Sequence, residues 1–143
     1  MASVYIREFC YPEDYSHALQ LWQGIEKGIH VGPSDEPAEI QKKLARDPDL
    51  FLVAEVDGKL IGTVIGGYDG RRGIIYHLAV SREYRGKGVG GRLMDEVETR
   101  LKNKGCIRCY LLVTPDNEEA MCFYEKRNWQ LMDNFPYAKD LRP

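Results

Sequence analysis

Residues 85–91 read Arg85-Gly86-Lys87-Gly88-Val89-Gly90-Gly91, so that four glycines fall within six positions. The stretch lies between a strand-like segment, Ile74 to Val80, and a helix-like segment, Arg92 to Lys104. A turn of this kind leaves backbone N–H groups unpaired, and the dipole of the following helix adds positive charge there. Because glycine has no side chain, an anion can approach the backbone closely. The stretch therefore predicts a binding site for phosphate or pyrophosphate.

The apolar periodicity on either side of this stretch predicts an ordered series of strands and helices. We expect strands over residues 4–9, 50–56, 60–67, 74–80, 107–114, 129–132 and 136–141, and helices over 15–27, 38–46, 92–104 and 118–126. Asp57-Gly58 is a strong signal for a tight hairpin between the second and third strands. The sequence thus predicts an α/β (α+β) protein with a mixed, mainly antiparallel sheet of six to seven strands and about four flanking helices.

The bulk composition is that of an ordinary globular protein with one domain over 1–143. The chain has 143 residues, of which 43% are hydrophobic and 29% charged, and its formal net charge is -2. Because basic residues are not in excess, nucleic acid is not an expected partner. No apolar run reaches the roughly 18 residues of a membrane span, and the N-terminus lacks a signal-peptide pattern. We predict a cytoplasmic protein with no membrane partner, and the sequence leaves a homodimer open.

The four cysteines do not predict a metal site. Cys106 and Cys109 have the spacing of half a zinc site, but no second pair of ligands accompanies them. Cys109 falls at an alternating strand position that suits a small buried side chain, and Cys10 and Cys122 stand alone in the sequence. Free cysteine often packs in protein cores. We therefore expect structural cysteines and no metal.

Three kinds of phosphate-binding loop compete for residues 85–91. A P-loop requires Ser or Thr after its lysine to hold magnesium, and Lys87 is followed by Gly88. A dinucleotide fingerprint matches Gly86, Gly88 and Gly91, but it requires a glycine at the end of the strand and an acidic residue about 20 positions later. Residues 81–85 intervene here, and position 111 is Leu. The third pattern, R-x-x-G-x-G, fits without such conflicts.

This third pattern resembles the acetyl-CoA-binding signature of the GNAT superfamily of N-acetyltransferases. The matching residues are Arg85, Gly88 and Gly90, and the strand before them ends in Leu78-Ala79-Val80. A second signature follows in register, with Asn117, Ala120 and Phe123-Tyr124-Glu125-Lys126. The predicted order of elements is also the order of that family over nearly the whole chain. Residues 50–56 and 66–70 further resemble a small group of bacterial acetyltransferases called YpeA-like.

The resemblance implies how acetyl-CoA would be held. Backbone N–H groups of residues 85–91 would bind the pyrophosphate, and the pantetheine arm would pair with strand backbone in a gap between residues 74–80 and 107–113. Asn117 would hydrogen-bond the same arm, or it would only cap the last helix. The coenzyme-binding residues are thus Leu78, Ala79, Val80, Arg85, Gly86, Lys87, Gly88, Val89, Gly90, Gly91 and Asn117.

Tyr124 occupies the position at which the family often has a general acid. It would protonate the thiolate of coenzyme A as this leaves, because a phenol with a pKa near 10 is protonated at neutral pH. The alternative is a tyrosine that packs on the apolar face of its helix. Nearby Asn128 replaces a glycine usual in the family, and Asn is among the residues that best tolerate the left-handed conformation.

The general base is not evident from the sequence. By the resemblance, a carboxylate or histidine is expected four or six residues before Val80, where this chain has Tyr76 and Ile74. Strand alternation directs the neighbouring His77 to the other face of the sheet. Glu55 and Asp69 are further candidates, and a water chain or an amine that arrives uncharged would also serve.

The sequence therefore predicts an acetyl-CoA-dependent N-acetyltransferase that acts on a primary amine by direct attack, without a covalent enzyme intermediate. The acceptor would enter beside the first two helices. A small amine, an amino acid, an antibiotic and a protein amine all remain open as acceptors. The alternative function is a non-catalytic module that binds or senses acyl-CoA, which the absence of an evident base favours.

Overall fold

The structure is a computed structural model that describes residues 3–142. The chain divides into two compact units, residues 1–112 and residues 113–143. The first unit contains the sheet and three helices, and the second contains one helix and the C-terminal segment. The prediction of one domain over 1–143 stays a prediction.

The first unit is built on a single sheet in which the strands follow their order in the sequence. The described residues form five strands, which are β1 Tyr5–Glu8, β2 Phe51–Val56, β3 Lys59–Tyr68, β4 Gly73–Val80 and β5 Cys109–Tyr110. β1 to β4 are antiparallel, and β5 runs parallel to β4. A mixed, mainly antiparallel sheet is therefore confirmed.

The helices of the first unit lie on both faces of this sheet. They are α1 Tyr15–Gln23, α2 Pro37–Arg46 and α3 Val89–Asn103. Ile65 of β3 packs in a buried cluster with Trp22 of α1, while a Cβ on the next residue, Gly66, would lie 2.8 Å from Val97 of α3. Because successive strand residues point to opposite faces, α1 and α3 cover opposite faces. Gly66 is needed because α3 packs so closely.

Two local turns follow the chemistry predicted for them. The hairpin between β2 and β3 places Asp57 at φ 50° and Gly58 at φ 78°, the left-handed pair typical of a two-residue hairpin. Gly105 ends α3 at φ 97°, and the N–H of Cys106 donates to the carbonyl of Leu101 at 3.1 Å, as in a glycine C-cap.

The number of strands differs from the prediction of six to seven. Residues 129–132 and 136–141 form no strand in the described structure, and β5 has two residues instead of the eight predicted over 107–114. Pro136 lacks a backbone N–H donor, which weakens any pairing of the last segment. β5 pairs with β4 at Gly73 and Ile74, before the change of register between β4 and β3.

The second unit is described by α4, Glu118–Lys126, and the segment that follows it. The bounds of α4 match the prediction. Asn117 caps it, since its Oδ1 accepts from the N–H of Ala120 at 3.2 Å. Asn128 has φ 72°, so the predicted tolerance of Asn for a left-handed conformation is confirmed. No helix within residues 3–142 is long and apolar enough to cross a membrane.

Candidate active site

The glycine loop follows β4 and a single 3-10 turn, Arg82–Tyr84. Gly86 and Gly88 have φ of 74° and 83°, and a Cβ on either would meet nothing within 4 Å. Their need for glycine is therefore conformational, since most other residues rarely adopt positive φ. The open space around them leaves this stretch of backbone accessible to a ligand.

α3 begins at Val89, three residues earlier than predicted, so Gly90 and Gly91 lie in its first turn. The first backbone bond within the helix runs from the N–H of Arg92 to the carbonyl of Gly88, at 3.1 Å. The N–H groups of residues 89–91 precede that bond and have no partner within the helix. Together with the helix dipole, these groups form a site that suits an anion.

The charged side chains around the loop are partly engaged within the protein. Arg85 donates from Nε to the carbonyl of Val80 at 3.0 Å, and its guanidinium lies 3.4 Å from Glu26. Arg82 is also paired with Glu26. Lys87 lies over the ring of Tyr84, with Nζ 5.6 Å from its centroid. Arg85 therefore braces the start of the loop against the end of β4.

β4 and β5 share only two residue pairs, Gly73 with Cys109 and Ile74 with Tyr110. In the described structure, residues 75, 76, 79 and 80 of β4 pair with β3 on one side, and residues 75–80 have no partner in β5 on the other. Leu78, Ala79 and Val80 lie in this part of the strand. The backbone edge that leads into the glycine loop is thus available to an extended ligand, in the manner of an added strand.

His77 does not follow the alternation predicted for it. The register changes from Ile65–Tyr76 to Thr63–Ala79, so β4 carries one more residue than β3 at this point, and His77 has φ 52°. The rings of Tyr76 and His77 are in contact, with centroids 5.6 Å apart. The prediction that His77 points to the other face is therefore wrong, because a β-bulge redirects its side chain.

A polar network surrounds His77 on the face covered by α1. His77 Nε2 lies 2.8 Å from Oδ1 of Asp35, whose residue is only 4% exposed. The buried hydroxyl of Thr63 donates to the carbonyl of His77 at 2.8 Å and accepts from Nε1 of Trp22 at 2.9 Å. Tyr15 donates from its hydroxyl to the carbonyl of Asp35 at 2.7 Å. The network joins β4, β3, α1 and the 3-10 turn Pro33–Asp35.

Sequence reasoning missed the pairing of His77 with Asp35. The two residues lie 42 positions apart in the sequence, and no sequence motif singles out Asp35. The one available signal was weak: His belongs to the few residues enriched at positive φ.

The two carboxylates considered as a base have other partners. Glu55 accepts from Nε of Arg7 at 2.5 Å. Asp69 accepts from the N–H groups of Arg71 and Arg72, both at 2.8 Å, and these backbone bonds lower its pKa. Asp69 is a turn residue, and its lowered pKa makes it a poorer proton acceptor.

The other expected base positions carry no usual base. Ile74 is apolar, and burial and then the charge of Asp35 raise the pKa of the Tyr76 phenol. Burial likewise raises the pKa of the Cys109 thiol to about 11, in keeping with a structural role. The described residues contain no group of His, Cys, Asp or Glu side chains arranged to hold a metal ion.

The second unit brings Asn117 and Tyr124 onto one short helix, α4. The cap made by Asn117 uses only its side-chain oxygen, so the amide NH₂ donors are not consumed by it. Burial raises the pKa of the Tyr124 phenol to about 12, and its ring packs against Phe123 and Trp129 at centroid distances of 5.2 and 6.0 Å. Tyr124 is therefore protonated at neutral pH, as a proton donor must be.

Comparison with known proteins agrees with this geometry. A model of the acetyltransferase (GNAT) family matches residues 12–129. An acetyltransferase of Pectobacterium atrosepticum is 38% identical over 130 residues, which cover 90% of each chain. Ard1 from Thermoplasma volcanium superposes with a TM-score of 0.78 at 28% identity, covering 90% of this chain and 84% of that one. The PaiA N-acetyltransferase from Thermoplasma acidophilum, solved with coenzyme A, gives 0.77 at 22% identity and 93% coverage of both.

The chain belongs to the GNAT family of acetyltransferases. It is an acetyl-CoA-dependent acetyltransferase with the α/β fold of that family. Family membership therefore confirms the predicted enzyme and disfavours the binding-only alternative. The narrower resemblance to YpeA-like proteins stays a prediction.

Proposed function

We propose that this enzyme transfers the acetyl group of acetyl-CoA to a primary amine by direct attack in a ternary complex. The observation that carries the proposal is the continuity of two exposed backbone features. The edge of β4 without a β5 partner, residues 75–80, leads through Arg82–Tyr84 into the N–H groups of residues 85–91. In coenzyme A, the amide-containing pantetheine arm is followed by the anionic pyrophosphate. The arm suits the unpaired strand edge, and the pyrophosphate suits the N–H groups that come after it.

In this proposal the pyrophosphate lies on the backbone of residues 85–91, and the arm pairs with Leu78, Ala79 and Val80. Gly86 and Gly88 admit the phosphates because their conformations and surroundings are open. Asn117 contributes its amide NH₂ to the arm. Tyr124 protonates the departing thiolate, so the leaving group is neutral coenzyme A. The reaction needs no metal ion, nucleic acid or membrane, and the cytoplasmic location and the homodimer stay predictions from the sequence.

A panel of primary amines tests the proposal directly. Amino acids, polyamines, aminoglycosides and peptides with a free N-terminus are each incubated with acetyl-CoA, and acetylated product is detected by mass spectrometry. With the best acceptor, initial rates at varied concentrations of both substrates should give intersecting double-reciprocal lines. Parallel lines would indicate an acetyl-enzyme and contradict direct attack, and the absence of product from every amine would overturn the proposed acceptor class.

A further inference from the structure

His77 has a conformation that strand geometry alone does not explain. At φ 52° it is a non-glycine residue in the left-handed region, a conformation that is unfavourable for residues with a Cβ. The bond from the Thr63 hydroxyl to its carbonyl and the contact of its ring with Trp22, at 4.7 Å between centroids, hold it there. Strain of this kind is concentrated at functional sites. The bulge turns the imidazole toward the face covered by α1.

Asp35 fixes which nitrogen of the ring carries the proton. A carboxylate only accepts hydrogen bonds, so His77 Nε2, 2.8 Å from Oδ1, must be the protonated nitrogen. The neutral imidazole then keeps its lone pair on Nδ1. Asp35 is itself held, because its Oδ2 accepts from the N–H of Gly32 at 3.1 Å and its carbonyl accepts from Tyr15. The ring is thus oriented by a buried carboxylate, an arrangement that prepares histidine to take a proton.

The position of His77 along β4 matches the place where a proton acceptor is needed. In the proposed function the pantetheine arm runs from the glycine loop back along residues 80 to 75, so its thioester end lies beside the middle of β4. His77 immediately precedes Leu78 at this point and retains 15% side-chain exposure. Glu55 and Asp69 are held by other partners.

We propose that His77, oriented by Asp35, takes the proton of the acceptor amine, a role that rests on the proposed acetyl transfer. The acceptor's ammonium gives one proton to Nδ1, which releases it to solvent. The amine lone pair then forms the C–N bond to the thioester carbonyl carbon, and the C–S bond breaks with its electron pair on sulfur. Tyr124 protonates that sulfur and is reprotonated by the second proton lost from nitrogen. Asp35 is a positioning residue and does not meet the substrate.

The titratable and charged groups that face this pair come from several elements. Tyr76 lies beside His77 on β4, and Tyr15 reaches Asp35 from α1. The charge of Asp47, at the end of α2, contributes to raising the pKa of Tyr76. Asp47 also forms an ion pair with Lys43, with Nζ 2.8 Å from Oδ2. Burial raises the pKa values of both phenols, and the charge of Asp35 raises them further. These phenols therefore remain neutral donors, which leaves the imidazole as the proton acceptor of the network.

The substitution His77→Asn tests the role while keeping the local structure. Asn tolerates the left-handed conformation, so the backbone of the bulge is kept, but its amide is not a base and ends short of the position of Nε2. With an amine identified by the panel, kcat should fall about 100-fold, the usual scale of general-base catalysis, while KM for acetyl-CoA stays unchanged. The acid limb of the kcat/KM profile should disappear. His17→Asn, on the exposed side of α1, is the matched control and should change neither quantity.

His77→Gly supplies a second variant, because glycine accepts positive φ without strain. Added imidazole should raise the kcat of the His77→Gly enzyme at least tenfold over its value without imidazole. If His77 has only a structural role, a different result is expected. The kcat of His77→Asn would be unchanged, or the variants would lose acetyl-CoA affinity and Tm without rescue by imidazole. Either outcome would overturn the role of His77 and leave the acetylation of the amine intact.

A measurement without substrate tests the positioning by Asp35. Long-range ¹H–¹⁵N NMR of the wild-type chain, which has three histidines, should show His77 with its proton on Nε2. Asp35→Asn should shift the population toward the other tautomer and lower kcat more than it raises KM. A ring protonated on Nδ1 in the wild type would exclude the proposal. If the amine panel gives no product, both proposals fail together, whereas failure of the His77 tests alone affects only this one.

Discussion

The glycine loop and the β4 bulge lie within a dozen residues of each other, but they are built from different parts of the chain. The loop presents backbone N–H groups, and its conformation requires residues without a side chain at Gly86 and Gly88. The bulge presents a side chain, His77, held by Asp35 from a distant turn and by Thr63 from the neighbouring strand. A backbone site is a local property of the sequence, whereas the bulge requires contacts between four elements.

The two halves of the proposed reaction therefore leave unequal signals in the sequence. The proposed pyrophosphate site depends on backbone conformation, and glycine is favoured wherever φ is positive. The proton acceptor is recognised by chemistry, and many residue types at many positions supply it. The loop therefore leaves a pattern in the sequence, while the pair of His77 and Asp35 leaves almost none.

The largest effect is expected where a side chain meets the reacting atoms. Tyr124→Phe should lower kcat about 100-fold through loss of the acid, with KM for acetyl-CoA retained. Because burial raises the pKa of Tyr124 to about 12, the wild-type kcat should not decline from loss of this proton near pH 10. The same shift stabilises the folded state below the unfolded pKa near 10, and that stability is lost as pH rises through about 12.

Tyr137→Phe is the control for this prediction, because Tyr137 is 95% exposed and lies in the same unit. Rates and denaturation midpoints measured between pH 7 and 11 would separate the two variants. A Tyr124→Phe enzyme with wild-type kcat would show that the Tyr124 ring only packs against Phe123 and Trp129.

A smaller effect should follow from adding one methyl group to the loop. Gly88→Ala at φ 83° costs roughly 1–2 kcal/mol, and the loop relieves that strain by changing the backbone that meets the pyrophosphate. KM for acetyl-CoA should therefore rise about 5- to 30-fold with little change in kcat at saturation. Steady-state kinetics and isothermal titration with coenzyme A measure the change.

Gly58→Ala is a matched control, since Gly58 has φ 78° and is equally open but lies in the β2–β3 hairpin. It should lose the same stability and keep the KM of the wild type. Equal increases of KM in both variants would mean that the loop acts through general stability and not through contact with the coenzyme.

The smallest effect on activity is expected from the support of the bulge. Thr63→Val removes the acceptor of Trp22 Nε1 and the donor to the His77 carbonyl. Unsatisfied buried groups cost about 1–3 kcal/mol each, so the free energy of unfolding should fall by at least that much in urea titrations. We expect kcat to fall severalfold and KM for acetyl-CoA to stay constant.

Thr99→Val, at an exposed position of α3, should leave both quantities unchanged. A Thr63→Val enzyme that keeps its kcat would show that the bulge holds its shape without this bridge. In that case the β4 bulge, like the glycine loop, would keep its conformation without this contact from another strand.

Most of the fold was predictable because its signals are local. The hairpin at Asp57-Gly58, the end of α3 at Gly105 and the bounds of α4 follow from residues next to one another. The errors have non-local causes. Strands were predicted over residues 129–132 and 136–141, but neither segment forms one in the described structure, and β5 pairs with only two residues of β4. Strand pairing depends on which segment lies alongside in the folded protein, and the alternation of apolar and polar residues in a sequence does not contain that information.

The sequence by itself determined the proposed donor site: four glycines that follow a strand specify a backbone that suits an anion, whatever surrounds it. Only the tertiary structure decided the arrangement around His77. One extra residue opposite Val64 reverses the direction of the His77 side chain, and the buried Asp35 carboxylate lies 2.8 Å from its Nε2. A bulge arises from the register between strands, and an orienting contact arises from packing, so neither has a local pattern in the chain.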